Sequence, residues 1–325
     1  MRLGATVTGV DLDSRVVRLG EQQVSFTKLV LAPGSSSKPL PDVPDGSELY
    51  YLRSFADLQR LHEAAGHART AAVIGSGFIG CEAAISLAMR GIDVTMISPE
   101  PAPQQSRLGE HAAGVIAGIL RGYGVDVRAG TEIGSLHAPR TLHLSDGTTL
   151  EPDLILAAVG AAPATGFLDP AALQLHEGRV VVDSHMRTLV DGVYAVGDAA
   201  RAENALTGRP LPVEHWDDAD SMGQVAGADA AGTEARWDAV PGFWTQLGEH
   251  TLMYSAWGDG FDAVQIVERP GGFTAWYGTD GALVGVLAYN AEDDYDRGRA
   301  LLVQGATLEA AVHGAQPDSA DDEGA

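Results

Sequence analysis

The sequence is poor in cysteine and in lysine. Cys81 is the single cysteine among 325 residues, which excludes an internal disulfide, a C-x-x-C redox pair and a cysteine-ligated cluster. Lys28 and Lys38 are the only lysines, and 21 basic residues stand against 44 acidic ones, a net charge of −23. With a pI of about 4.6, nucleic acid and anionic membrane surfaces are poor partners. No apolar run reaches the roughly 18 residues that a bilayer crossing needs. The opening MRLGATVTGVDLDS has no signal-peptide core, so a cytoplasmic location is expected. The 10 histidines lack metal-ligand spacing, and no metal site is expected.

What is present is ordinary for a folded chain: 45% hydrophobic residues and a mean hydropathy of zero, enough for two or three domains. The stretch from Thr70 to Glu100 organises the rest. An apolar run, Ala71 to Ile74, reads as a buried strand. Gly75-Ser76-Gly77-Phe78-Ile79-Gly80 follows, a G-x-G-x-x-G turn opening a helix that stops at Arg90-Gly91. Val94 to Ile97 is a second strand, completing a β-α-β unit of about 30 residues. Gly75 permits the tight turn, Gly77 lets a pyrophosphate approach, and Gly80 lets helix pack on strand. The helix start then offers free N–H groups and partial positive charge to phosphates. The glycines alone would be weak evidence; between two strands and a helix they point to a dinucleotide.

Ser98 ends the second strand, where an acid would hold an adenosine ribose. Glu100 lies two residues on and reaches toward the same hydroxyls. No arginine cluster stands there for a 2′-phosphate, Arg107 being a distant candidate, so NADH is expected over NADPH.

Residues 4–32 read as a β-meander closed by Leu29 to Ala32, and SSSKPLPDVPDG as a crossover. A helix is expected over Phe55–Ala65 and another from Leu108 to Tyr123. A second meander closes on Leu154 to Gly160, an echo of Leu29 to Gly34. GVYAVGDAA is an apolar strand ending in Gly197-Asp198, followed by a helix from Asp217 to Ala231. From Val240, four strands and a helix over Asp296–Gln304 read as a separate α+β cap, and PDSADDEGA as a disordered acidic tail.

Together GSGFIGCEAA, GVYAVGDAA, Glu214-His215-Trp216 and VPGFWTQ resemble the FAD-dependent NAD(P)H:ferredoxin reductases. Rubredoxin reductases and apoptosis-inducing-factor-like flavoproteins are near relatives, within the glutathione-reductase-like fold of pyridine nucleotide-disulfide oxidoreductases. The resemblance covers essentially the whole chain. It implies an α/β fold: a Rossmann-like NAD(P)-binding domain (49–168) inserted in a partial FAD-binding domain, plus a C-terminal α+β domain (240–316). Residues 1–48 are then a remnant of the FAD domain, 169–239 its return segment, and 317–325 the tail. Hydride passes from NADH to FAD, and electrons go on singly to a ferredoxin-like iron–sulfur protein.

By motif, the resemblance assigns Asp198, after Gly197, to the ribityl and pyrophosphate region of FAD; a helix-capping Asp is the bland alternative. Trp216 and His215 fall beside the flavin ring, Val7 at the adenine, and Gly34 and Gly160 at the turns ending the two echoed strands. Arg53 matches an FAD-contacting arginine and otherwise reads as a solvated charge. Phe78 resembles an aromatic gate over the flavin, or else packs the helix start. Glu82 resembles the glutamate near the nicotinamide amide, or else is a solvated first-turn acid. Ile79 lines the same turn. Phe78, Glu82 and Trp216 are the candidate catalytic residues, and Cys81 reads as a small buried hydrophobe.

The departures carry expectations too. A full member has an earlier β-α-β with its own G-x-G-x-x-G, together with the lysine that partners Glu82. Here these would precede Met1, so an N-terminally incomplete reading of a longer protein is expected. Pro33 stands where relatives have Thr. No C-x4-C exists, which excludes the dithiol–disulfide branch. The acidic surface gives no steering toward an acidic ferredoxin. Two alternatives therefore stand beside the reductase: a nucleotide-binding protein without catalysis, and a flavin NADH oxidase using oxygen or quinone. The oligomeric state is not legible.

Overall fold

The computed structural model describes residues 1–258 and 260–314; the expected acidic tail lies outside the described residues. Strands β1 (Gly9–Asp11), β2 (Val16–Leu19) and β3 (Gln22–Ser25) form an antiparallel meander. The apolar run expected to close that meander leaves it. It becomes β4 (Leu29–Leu31), paired in parallel with a distant strand around Tyr194. Leu31 is buried against a core that also holds Val193 and Tyr194, whereas no meander strand has a fully buried residue. Apolar runs without alternation suit buried parallel strands. The serines read as crossover form β5 (Ser35–Ser37).

Helix α1 (Phe55–Ala65) occupies its expected span. It starts with a reciprocal capping box: Ser54 Oγ accepts the Asp57 N–H, and Asp57 accepts the Ser54 N–H at 2.9 Å.

The nucleotide-binding type of unit follows: β6 (Thr70–Ile74), α2 (Phe78–Ala88), β7 (Asp93–Ser98), α3 (Gln105–Gly122), β8 (Asp126–Ala129), β9 (Ile133–His137), β10 (Thr141–Leu144), β11 (Thr149–Leu150) and β12 (Leu154–Ala157). A parallel sheet runs β12-β6-β7-β8, and β11-β10-β9 form a second meander. All four residues of β12 and the last four of β6 are buried, as expected of parallel strands covered on both faces. Within α3, Gly109 is non-helical at φ 81°. The sequence pattern places the helix start at Leu108, next to that break.

Residues 161–230 return to the first unit through β13 (Ala161–Pro163), β14 (Leu175–His176), β15 (Arg179–Val182), β16 (Val193–Ala195), β17 (Ala200–Asn204), β18 (Arg209–Pro212) and α4 (Trp216–Ala230). β13 pairs with β5, β16 with β4, and β14-β15-β17-β18 form a sheet. The β17–β18 hairpin escaped the sequence reading because ENALTGRP carries turn residues and little alternation.

The last unit comprises β19 (Gly242–Leu247), β20 (His250–Ala256), β21 (Ala263–Arg269), β22 (Gly272–Thr279), β23 (Ala282–Tyr289), α5 (Glu292–Val303) and α6 (Leu308–His313). Its antiparallel sheet runs β19-β20-β23-β22-β21. β19 had been legible only as a motif, and α6 is too short to show a helical period. β22 is buried on both faces. Phe273, Ala275 and Tyr277 share a core with α2 and α3, while Trp276 packs with Leu302 of α5 and Leu308 of α6. Tyr277 Oη donates to the Leu108 carbonyl at 2.9 Å. The C-terminal sheet thus lies against the dinucleotide-type unit over one whole face.

Candidate functional site

The glycines of the opening turn do different jobs. Gly75 has φ +102°, and a Cβ there would lie 2.4 Å from the Ala158 carbonyl oxygen. A Cβ on Gly80 would lie 2.2 Å from the Gly75 oxygen. Both are glycine because the chain crowds itself. Gly77 differs: it caps α2 at φ −64° without a side-chain hydrogen bond, and a Cβ there meets only Gln104 Nε2, at 3.8 Å. Its missing side chain leaves the α2 N–H groups approachable.

The ribose candidates separate in the same way. Ser98 is 3% exposed, and its Oγ lies 2.7 Å from Ser76 Oγ, so it pins the turn from beneath. Glu100 is partly exposed, and its Oε2 accepts the Ser106 N–H at 3.4 Å. Gln104, unforeseen in the sequence, adopts φ 62° and donates to the Ser76 carbonyl at 3.0 Å. Arg107, the distant candidate for a 2′-phosphate, has its guanidinium 5.9 Å over the Phe78 ring.

Phe78 begins an aromatic cluster. Its ring lies 4.6 Å from Phe243 of β19, which lies 4.7 Å from His215 and 5.5 Å from Tyr254. His215 caps α4. Burial, then the Arg107 charge, push its pKa down to about 4, against the pull of Asp198, so the imidazole is neutral at physiological pH. Glu82 is not a solvated acid: Oε1 accepts from Thr245 Oγ1 and from the Gln246 N–H, tying α2 to β19. Trp216, first residue of α4, is 74% exposed, and Ile79 47%. Phe243 was the residue missed; its only signal was its place in VPGFWTQ.

A polar cluster joins distant segments. Asp198 Oδ2 accepts from Ser35 Oγ at 2.6 Å and from Arg53 Nη2 at 2.5 Å, while Arg53 Nε donates to the Ser35 carbonyl at 3.0 Å. Gly34, at φ +68°, brings the turn beside Arg53. Gly197 packs on α4, where a Cβ would lie 3.2 Å from Ala219 Cβ. Gly160 accepts the Lys38 N–H at 2.9 Å. Val7 is half-buried in the segment leading into β1, and none of the contacts above reaches it. Cys81 is fully buried and its thiol is pushed up to about 12, mainly by burial. Among the described residues no His/Cys/Asp/Glu group suits a metal ion, and no helix is long and apolar enough to cross a membrane.

A glycine turn at a parallel strand, a second parallel pair leading to Gly197-Asp198, and a C-terminal antiparallel sheet packed on the first unit define an α/β fold with a dinucleotide-type unit. The profile described as Pyridine nucleotide-disulphide oxidoreductase matches residues 1–232, and the chain belongs to that family. It is 31% identical over 319 residues to a ferredoxin–NAD(P)(+) reductase of Sphingomonas sp, covering 95% of this chain and 77% of that one. It is 32% identical over 270 residues to Apoptosis-inducing factor 3 of Mus musculus, covering 81% of this chain and 44% of that protein, so it spans less than half of that relative. The ferredoxin reductase for the CYP199A2 system from Rhodopseudomonas palustris superposes with a TM-score of 0.86 at 26% identity, over 95% of this chain and 79% of that one.

Proposed function

We propose that this chain is an FAD-dependent oxidoreductase that takes electrons from NADH and passes them to a ferredoxin-like iron–sulfur protein. The observation that carries this reading is the Phe78–Phe243–His215 cluster, because it joins the start of α2, opened by the G-x-G-x-x-G turn, to the start of α4, opened by Glu214-His215-Trp216. The fit to a flavin is judged on the donors present. Asp198, Ser35 and Arg53 offer a polar cradle suited to a polyol and a phosphate, and exposed Trp216 with neutral His215 offers an apolar, uncharged wall beside the α4 N-terminus.

When bound, FAD supplies the hydride-accepting ring and the one-electron chemistry that follows. The chain's residues hold and orient. Gly77 and the α2 N–H groups take the NADH pyrophosphate, and Glu100 takes the ribose hydroxyls and repels a 2′-phosphate. The Thr245 and Gln246 bonds fix Glu82 Oε1, and Glu82 is the residue that would hold the nicotinamide amide. Phe78, packed on Phe243, would keep water from the reacting face of a bound ring. The α4 N-terminus would favour negative charge on a ring held beside Trp216 and His215.

Net charge favours one competing reading, a flavin NADH oxidase with a small acceptor. At −23 the chain lacks long-range attraction for an acidic ferredoxin. Protein incubated with FAD and freed of excess cofactor tests both. NADH-dependent ferredoxin reduction faster than oxygen consumption supports the reductase; the reverse order supports the oxidase. Retained NADH affinity without flavin absorbance or turnover would leave only a nucleotide-binding protein. Glu100→Gln should weaken NADH by roughly tenfold while leaving NADPH unchanged or improved.

A further inference from the structure

Arg107 is a cation without an assigned task at the site. It is exposed, and among the described residues its guanidinium has no ion-pair or hydrogen-bond partner, although the chain carries 44 acidic residues. What it faces is the Phe78 ring, 5.9 Å from the centroid, within cation–π range. Phe78 is the first residue of α2, and Gly77 before it leaves the α2 N–H groups without a side-chain cap. The backbone that carries Arg107 is pinned on both sides. Before it, buried Gln104 donates to the Ser76 carbonyl at 3.0 Å and stands 3.8 Å from the Cβ position of Gly77. After it, the Leu108 carbonyl accepts from Tyr277 Oη at 2.9 Å, and α3 breaks at Gly109. A fixed stem thus carries a solvent-exposed head beside an uncapped helix start. Phe78 packs on Phe243 at 4.6 Å, and the charge of Arg107 reaches His215 and Tyr254, which flank Phe243.

We propose that Arg107 is a positioning residue that couples the arrival of a pyrophosphate to the release of Phe78. Lying over Phe78, the guanidinium holds the ring on Phe243. When a dinucleotide brings its pyrophosphate to the α2 start, the guanidinium leaves the ring for a phosphate oxygen. Charge-assisted hydrogen bonds to phosphate are stronger than the hold of a cation over a half-exposed ring, so the exchange runs toward the phosphate. Phe78 then keeps only its Phe243 contact, and an incoming nicotinamide displaces it more easily. A net charge of −23 repels a dianion from a distance, and a cation fixed beside the α2 start offsets that repulsion where it counts. Arg107 therefore reads the pyrophosphate, common to NADH and NADPH, and not the 2′-phosphate. The proposal rests on the reading of the G-x-G-x-x-G turn as a dinucleotide site.

Calorimetry with ADP-ribose, which has the pyrophosphate but no nicotinamide, tests the contact without a flavin. Arg107→Gln should weaken ADP-ribose, NADH and NADPH alike, by roughly tenfold, with Arg107→Lys in between. A loss confined to NADPH would make Arg107 a 2′-phosphate ligand and overturn the proposal. Equal affinity of wild type and Arg107→Gln for ADP-ribose would overturn it while leaving the dinucleotide site in place. If wild type binds neither ADP-ribose nor NADH, the reading of the turn fails and the proposal falls with it. Fluorine NMR of protein labelled with fluorophenylalanine reads the coupling, the Phe78 line being assigned with Phe78→Leu. ADP-ribose or inorganic pyrophosphate should shift that line in wild type and leave it in place in Arg107→Gln. A Phe78 line that moves with NADH but with neither ADP-ribose nor pyrophosphate would overturn the coupling.

Discussion

Helices α1 and α4 each carry an aspartate at the third position of the first turn, and the two carboxyls behave oppositely. Asp57 sits in a capping box with Ser54 and beside Arg60, and these bonds lower its pKa to about 2. Asp218 has no capping serine, since His215 holds the cap position, and burial raises its pKa to about 7. The dipole of a first turn is worth about 0.3–1 kcal/mol, while desolvating a carboxylate costs several. Local bonds decide where water still reaches, and burial decides where it does not. The start of α2 is a third case, with a glycine cap and neither an acid nor a side-chain bond. It is the start left open for an anion.

The largest test of this comparison converts the α2 start into the α1 type. Gly77→Asp fits sterically, because φ is negative and the Cβ space is open. The carboxylate would cap α2, so the melting temperature should hold or rise. It would also stand where the pyrophosphate binds, and the NADH Kd measured by fluorescence should rise by roughly a hundredfold. Loss of both stability and binding would mean that Gly77, like Gly80, is a packing glycine.

A smaller effect separates the two aspartates by pH. The folded pKa of Asp57 is depressed, so its stability is present above about pH 4 and is lost as pH falls toward 2. Asp57→Asn should cost about 1 kcal/mol at pH 7 and progressively less as pH falls through 2. Asp218→Asn should show its difference at the opposite end of the scale. Unfolding curves with the same pH dependence for both variants would collapse the contrast. The smallest effect belongs to Arg60, which pairs with Asp57 from a side chain 71% exposed. Arg60→Ala should cost under about 0.5 kcal/mol in the same assay.

Much of the fold was legible in the residues. Apolar runs without alternation, Ala71 to Ile74 and Leu154 to Ala157, marked buried parallel strands. α1 could be read to its ends because Ser54 and Asp57 write its start locally. β4 was legible as a strand but not in its pairing, because a three-residue apolar run suits a meander and a parallel pair equally. β19 was missed because GFWTQL sets Phe243 and Trp244 side by side instead of alternating, and α6 was too short for a helical period to show.

For the candidate site, the sequence alone determined the residue types whose job is met within a turn or two. Gly75, Gly77 and Gly80 belong here, since their dihedral angles and close approaches arise in one β-α connection. Tertiary structure alone decided which of Ser98 and Glu100 faces outward, that Arg53 meets Asp198, that Arg107 lies over Phe78, and that Phe243 joins Phe78 to His215. It also decided that Asp218 is shut from water while Asp57 is not. Burial and ion pairing depend on segments far apart in the chain, and two first-turn aspartates look alike until the fold sets β19 and α5 against one of them.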